Sequence, residues 1–187
     1  GNLVVDNTGA TPLSGAITGT GSVTQNGAGT LTLSGNNGYG DTFFNAGVVS
    51  VEQEENLGIG ALNFDGGTLQ ITGTHFNDTT KTIVWGDHGG GFDIADADNQ
   101  FALSNVFTGL GQLAKKGAGT LALTGDSSAF QGNTLVKDGT LRLDGGKLGD
   151  GTGTVDVASG AALGGHGSIG GNTTVEGTLF AQSGQVL

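Results

Sequence analysis

The chain contains no cysteine and only one proline among its 187 residues. Without cysteine it has no disulfide bond, no thiolate nucleophile and no zinc-thiolate centre, so an exported form would depend on continuous packing for its stability. A single proline beside 40 glycines excludes collagen and proline-rich linkers. Because the glycines follow no three-residue period, we expect them to form turns.

Basic residues are also scarce: six lysines and arginines stand against 17 acidic residues, which gives a net charge of −11. A charge of this sign repels phosphate backbones and anionic lipid surfaces, so we expect no nucleic-acid partner. The sequence has no run of about 18 apolar residues, so this segment should not insert into a membrane. At 35% hydrophobic and 12% charged residues, it is too apolar for a disordered chain.

What the sequence does contain is an internal repeat. Residues 12–35 reappear at 102–125 without a gap, and half of the aligned positions are identical. The identities include a Gly-Thr-Leu-x-Leu run as well as isolated glycines, so the copies indicate one structural unit used twice. We therefore expect a solenoid that forms one domain over residues 1–187. Both ends fall within the repeating pattern, which suggests a piece of a longer protein.

A finer period of roughly 20 residues lies within the long one. It consists of a glycine followed by alternating apolar residues, and its starts are Gly29, Gly47, Gly67, Gly119, Gly139 and Gly177. A coil of three short strands and their turns needs about 20 residues, so one step corresponds to one rung. Side chains alternate along a strand, which predicts that Leu31 and Leu33 point inward. A weaker copy at Gly160 is one residue late, so we expect a bulge or a shifted corner there.

The predicted fold class is all-β, because no apolar stripe with a 3.6-residue period follows a helix start signal. Asx-Gly pairs such as Asp65-Gly66 would also suit the hairpins of an antiparallel sandwich. Hairpins give no reason for a shared rung length, whereas a parallel coil must repeat its length to keep its strands in register. We therefore predict a parallel β-helix, or β-solenoid, with roughly 20 residues per rung.

Several segments resemble the autotransporter-associated β-strand repeat of Gram-negative passenger domains. The resemblance is carried by residues 27–39, 45–51, 117–125, 137–143 and 157–171. It leaves out about 74–90, where a loop or an irregular rung is expected. The resemblance implies a right-handed parallel β-helix that is exported across the outer membrane and is displayed on the cell or released. It also implies an outer-membrane barrel that belongs to the same protein and lies C-terminal to this chain.

Catalytic chemistry has little support in the sequence. Four aspartates lie close to His88, and they are Asp87, Asp93, Asp96 and Asp98. Such carboxylates could hold calcium in a β-helical polysaccharide lyase or hydrolase, which is the alternative function. Their spacing fits no EF-hand loop, and none of the basic residues is tied to them as a general base. We expect no enzyme, no metal and no cofactor.

A binding role is predicted for the stretch without the repeat signature. Trp85, Asp87 and His88 lie there, where a loop could leave the coil, and loops on rigid scaffolds are frequent recognition sites. Corner packing is the more common role for such a tryptophan. The expected function is a secreted or surface-displayed stalk and adhesin-like, virulence-associated interaction surface, whose C-terminal rungs seed folding during export. Its candidate partners are a host protein, a glycan or further copies of itself.

Overall fold

The structure, a computed structural model, describes residues 1–181. In this range the chain forms 22 β-strands and one 3-10 helix, Glu54–Asn56. No helix of this part of the chain is long and apolar enough to span a membrane. All strand pairs are parallel. Strands that are neighbours in sequence lie in different sheets, so the chain winds as a coil.

Four sheets line the sides of the coil. The first sheet contains β1 (Leu3–Val5), β3 (Val23–Gln25), β5 (Thr42–Phe44), β7 (Leu62–Phe64) and β9 (Ile83–Trp85). The second contains β2 (Ala10–Leu13), β4 (Thr30–Leu33), β6 (Val48–Val51), β8 (Thr68–Ile71), β10 (Gly90–Ile94), β12 (Leu113–Lys116), β15 (Thr134–Val136), β18 (Thr154–Val157) and β21 (Asn172–Val175). The third contains β11 (Gln100–Leu103), β13 (Thr120–Leu123), β16 (Thr140–Leu143), β19 (Ala162–Gly165) and β22 (Thr178–Ala181). The fourth contains β14 (Asp126–Ser127), β17 (Lys147–Leu148) and β20 (Ser168–Ile169).

The nine strands of the second sheet correspond to nine rungs, which confirms the predicted all-β parallel solenoid and its rung length. Leu31 and Leu33 are at most 1% exposed, as the strand alternation predicts. In-register pairing stacks Leu121 on Leu141 and Leu141 on Leu163. The buried apolar side chains of residues 1–181, apart from Ala114 and Ala122, form one core cluster.

Stacked corners account for much of the glycine. A column along one corner contains Gly111, Gly132, Gly153 and Gly171. A Cβ on Gly132 would lie 2.3 Å from the carbonyl oxygen of Gly111, and a Cβ on Gly153 would lie 2.4 Å from that of Gly132. Neighbouring strands are only about 4.8 Å apart, so these corners have no volume for a side chain.

The corner before β19 is shifted, which is one of the two outcomes expected there. Ala162 still pairs with Thr140, and Leu163 pairs with Leu141, so the ladder contains no bulge. The additional residue lies in a turn that is closed by a 3.0 Å hydrogen bond from the Ala161 N–H to the Ala158 carbonyl. Gly160 takes a φ of 87° in this turn, a region that favours glycine.

The two copies of the long repeat lie on different sides of the coil. In the first copy, β3 belongs to the first sheet and β4 to the second. In the second copy, β12 belongs to the second sheet and β13 to the third. Four rungs separate β4 from β12 along the second sheet, and β13 lies one side further on. The displacement between the copies is therefore four rungs plus one side.

Residues 72–82 occupy the third side of their rung, as residues 52–61 do in the rung before. They contain no strand, but Asp78 forms a parallel bridge with Ala102 of the third sheet. Phe76 is 2% exposed and packs edge-on against Phe101, with the ring centroids 5.0 Å apart. The Asn99 amide donates hydrogen bonds to the carbonyls of residues 73 and 76. This stretch therefore packs along the coil, and β9 then resumes the regular strand pattern.

Candidate functional site

Trp85 belongs to a column of aromatic rings inside the coil. Its ring centroid is 5.2 Å from that of Phe64, 6.1 Å from that of Phe92 and 4.9 Å from that of Phe107. The indole N–H donates to the Gly111 carbonyl at 3.0 Å, so its polar atom is also satisfied within the fold. Trp85 thus has a packing role at the end of β9, and ligand contact by its ring stays a prediction.

Asp87 and His88 lie in the exposed turn between β9 and β10. His88 Nδ1 is 2.9 Å from Asp65 Oδ1, and the His88 backbone N–H donates to the same oxygen at 3.1 Å. The backbone bond first and then the ring contact lower the pKa of Asp65 below its usual value. The carboxylate that positions His88 is therefore Asp65 of the preceding rung, and not its sequence neighbour Asp87.

The aspartates that are close in sequence are spread along the strand β10. Asp87 precedes this strand, whereas Asp96 and Asp98 follow it in a turn where the Asp98 N–H donates to Asp96 Oδ1 at 2.9 Å. A five-residue strand is roughly 16 Å long. Asp93 Oδ2, on the outer face, accepts from Gln70 Nε2 at 2.8 Å. Residues 1–181 contain no group of three or more histidine, aspartate or glutamate side chains placed to hold a metal ion.

A row of polar side chains runs along the outer face of the second sheet. Ser50 Oγ donates to Gln70 Oε1 at 2.8 Å, and Gln70 in turn donates to Asp93. The register of β10 with β12 places Lys116 beside Asp93. Stacking thus brings a basic residue next to an aspartate that lies one rung away in sequence, and the expectation that no general base serves the aspartates stays a prediction. Lys137 follows β15 in the next rung.

A groove of about 140 Å³ opens beside this row. Its lining includes Thr68, His88, Gly91, Lys116 and Lys137. Lys116 extends across β10 and donates from Nζ to Thr68 Oγ1 at 3.1 Å. A larger apolar cavity of about 350 Å³ lies near the C-terminal end of the described coil, and its lining includes Leu143, Leu163 and Leu179. The groove is the more polar of the two and contains the functional groups able to form directed contacts.

Lys115, the neighbour of the groove lysine, is fully buried. Its Nζ donates to the carbonyls of Lys116 at 2.7 Å, Gly117 at 2.7 Å and Asp138 at 3.0 Å, which joins two consecutive corners. Desolvation lowers the pKa of Lys115 to about 8, although the charges of Asp93 and Asp138 act in the opposite direction.

Gln25 occupies the same position as Lys115 in the first copy of the repeat. It is also buried, and its side-chain amide donates to the carbonyls of Gly27 at 2.8 Å and Gly29 at 3.0 Å. Both copies thus use this position to satisfy the carbonyls of the Gly-Ala-Gly corner. The interior polar position is a structural feature of the repeat, separate from the exposed groove.

Sequence reasoning placed the candidate site at Trp85, Asp87 and His88, and it missed Lys116 and Lys137. Of the three, only His88 lines the groove. The available signal was the outward position of Asp93 in β10, whose partner in β12 is Lys116. Finding this pair requires knowing that β10 and β12 are neighbours. The sequence does not reveal this, because the two repeat copies are displaced by one side of the coil.

Comparison with known proteins identifies the repeat. The sequence profile of the passenger-associated-transport-repeat matches residues 23–51 and 113–143, so one match begins within each copy of the long repeat. The chain is 36% identical over 132 residues to the adhesin BmaC autotransporter of Brucella suis biovar 1 (strain 1330), covering 69% of this chain and 4% of that protein. It is 40% identical over 83 residues to an extracellular serine protease of Serratia marcescens, covering 44% of this chain and 7% of that protein.

No solved structure matches the chain. The chain spans only 4% and 7% of the length of the two curated relatives. The residues matched by the repeat profile are those that form the paired strands β3 to β6 and β12 to β16. The repeat matches, the similarity to both proteins and the parallel solenoid together show that this chain belongs to the autotransporters, as a segment of a passenger domain exported to the cell surface or the extracellular space.

Proposed function

We propose that residues 1–187 act as one structural unit, a stalk and adhesin-like, virulence-associated interaction surface of the passenger domain. The observation that supports this is the uninterrupted stacking of nine parallel strands around a single apolar core. At about 4.8 Å per strand, nine rungs extend over roughly 40 Å and keep their outer faces in a fixed order. Such a rod can hold a binding surface away from the membrane.

The candidate contacts lie on the outer faces of this rod. Asp87 and His88 are exposed in the turn before β10, next to Trp85. A host protein, a glycan or a second copy of the segment is the proposed partner, and the full-length protein supplies the C-terminal barrel. The similar Brucella protein is named an adhesin, which favours an adhesive role over spacing alone.

Adhesion is tested with beads that carry the purified segment. They are expected to bind host cells more than beads that carry an unrelated protein of similar net charge, and Asp87→Ala with His88→Ala should reduce this binding. A matched pair, Asp150→Ala with His166→Ala, changes the same residue types in another part of the coil. Binding no greater than that of the unrelated protein would contradict the interaction role.

We further propose that the segment is not an enzyme. Asp93 accepts a hydrogen bond from Gln70, and the neighbouring Lys116 donates to Thr68. The other aspartates lie beyond the two ends of β10, so the carboxylates do not converge on one site with a general base. Purified protein should release no unsaturated sugars from acidic polysaccharide, with or without calcium. Calcium-dependent release that is lost in Asp93→Asn would instead establish the lyase alternative.

The C-terminal rungs are also proposed to seed folding during export. Each rung contacts its neighbours in the stack, so an ordered terminal rung offers backbone groups to the next one. Leu141 and Val49 are both fully buried in central strands, which makes Leu141→Pro and Val49→Pro a matched pair. We expect Leu141→Pro to reduce surface display of the full-length protein more, measured by protease accessibility on whole cells at equal expression. Equal losses would contradict C-terminal seeding.

A further inference from the structure

We propose that the groove beside β10 binds a sugar that carries a single negative charge, a carboxylate or a sulfate. This inference deepens the proposed adhesin-like function and rests on it. Three of the six basic residues of the chain are Lys115, Lys116 and Lys137. Lys116 and Lys137 line the groove together with His88. Lysine ammonium groups bind such anions through charge-assisted hydrogen bonds.

The two groove lysines are available for a ligand. None of the ion pairs among residues 1–181 involves Lys116 or Lys137. Lys137 is exposed, and Lys116 donates only to the neutral hydroxyl of Thr68. An anion placed between the two would gain two charged donors without first breaking a salt bridge.

Gly91 gives the groove its depth. A Cβ at this position would lie 2.9 Å from Thr68 Oγ1 and 3.3 Å from the Ala114 carbonyl oxygen, so any side chain would fill the space that Lys116 now crosses. The volume of about 140 Å³ is well below that of pockets for drug-sized molecules, which hold roughly 300 Å³ or more. The groove therefore fits one charged sugar unit and leaves the rest of a glycan on the surface.

The charge around the groove favours a single anion over a polyanion. Asp93 lies beside Lys116, Asp65 holds His88, and Asp138 follows Lys137, while the whole chain carries a net charge of −11. At physiological salt, charges separated by more than about 8 Å are screened, so the lysines dominate only at short range. A densely charged polymer would meet the surrounding carboxylates as well, and it would be repelled.

The test compares four probes on the same folded segment: lactose, 3′-sialyllactose, 3′-sulfolactose and heparin. Binding is measured by ligand-observed NMR and by retention on probe-coated beads, where multivalency strengthens a weak interaction. We expect binding of sialyllactose or sulfolactose, little binding of lactose, and weaker binding of heparin. The first two probes distinguish a carboxylate from a sulfate.

Lys116→Gln with Lys137→Gln should weaken the binding by about tenfold or more, because it removes both charged donors. Lys81→Gln with Lys147→Gln makes the same change in net charge away from the groove, and it should leave binding unchanged. Both double variants are checked by urea unfolding. If Lys116→Gln with Lys137→Gln fails to fold, the single variant Lys137→Gln replaces it and should also weaken binding.

Equal binding of lactose, equal losses in both double variants, or tighter binding of heparin would each overturn the proposal. The bead assay on host cells separates this failure from failure of the adhesin-like role. Adhesion that survives Lys116→Gln with Lys137→Gln would keep the interaction surface and reject the groove as its ligand site. Absence of adhesion together with sialyllactose binding that the same variant abolishes would keep the groove and reject the cell-adhesion role.

Discussion

Replacing the buried Lys115 tests how the interior of the repeat is satisfied. Lys115→Met keeps a side chain of similar length but removes three hydrogen bonds to corner carbonyls. At about 1 kcal/mol for each orphaned acceptor, the free energy of unfolding at pH 7 should fall by about 3 kcal/mol. Lys115→Gln introduces the residue that the first copy has at this position, so it should recover a large part of the loss.

The buried Lys115 should also make the free energy of unfolding depend on pH. The pKa of Lys115 is about 8 in the folded chain and 10.5 when unperturbed, so between these values the folded chain has released a proton that the unfolded chain retains. The free energy of unfolding therefore rises with pH in this window, by roughly 3 kcal/mol in total at 1.36 kcal/mol per unit. Lys115→Met lacks this increment, so wild type should gain stability relative to the variant from pH 8 to 10.

The assay is equilibrium unfolding in urea, followed by the fluorescence of Trp85, the single tryptophan. Lys137→Met, one rung further on and exposed, is the control and should change stability by no more than about 0.5 kcal/mol. If Lys115→Met is as stable as Lys115→Gln at pH 7, the corner carbonyls do not need this donor. If the difference between wild type and Lys115→Met stays constant from pH 8 to 10, the lysine does not titrate in that range.

Three further substitutions test the core, the corners and a surface ion pair. Leu121→Asp places a carboxylate in the apolar column and should lower the free energy of unfolding by about 4 kcal/mol or more. Thr120→Asp on the outer face should change it by about 0.5 kcal/mol or less. Equal shifts in the urea midpoint would refute the assigned register. Gly153→Ala should cost about 2 kcal/mol because its Cβ would meet the preceding corner, while Gly15→Ala, with nothing within 4 Å, should show no loss in the same assay. The hydrogen bond from Lys147 lowers the pKa of Asp126 to about 2, so Lys147→Gln should raise it in a carbon-13 NMR titration, and an unchanged value would contradict the pairing.

The rungs themselves could be predicted from the sequence because strand alternation is a local property. Leu31 and Leu33 are buried by the rule that places every second side chain on one face, whatever the rest of the chain does. The corner at Gly160 could be located for the same reason, since one additional residue must be accommodated before Leu163 can pair with Leu141.

The groove could not be predicted, because it depends on which strands are neighbours. Lys116 and Thr68 meet across β10, and no local pattern relates two residues that are separated by two rungs. Lys115 was hidden for a different reason: its charge suggests exposure, while its place two residues after the buried Leu113 directs it inward. The corner carbonyls that accept hydrogen bonds from the buried Lys115 ammonium can be identified only in the three-dimensional structure.

Residues 72–82, which form one side of a rung, contribute to the azimuth of everything that follows them. Removal of about seven to ten residues there, the length of one strand with its turn, would rotate the downstream repeat by about a third of a revolution and align it with the upstream copy. Insertions or deletions of whole rungs would preserve the azimuth. Insertions or deletions of part of a rung would turn the downstream faces to another direction and leave the stacking among the downstream rungs unchanged. Related passengers that differ in length at this point would then present the same motif in different directions.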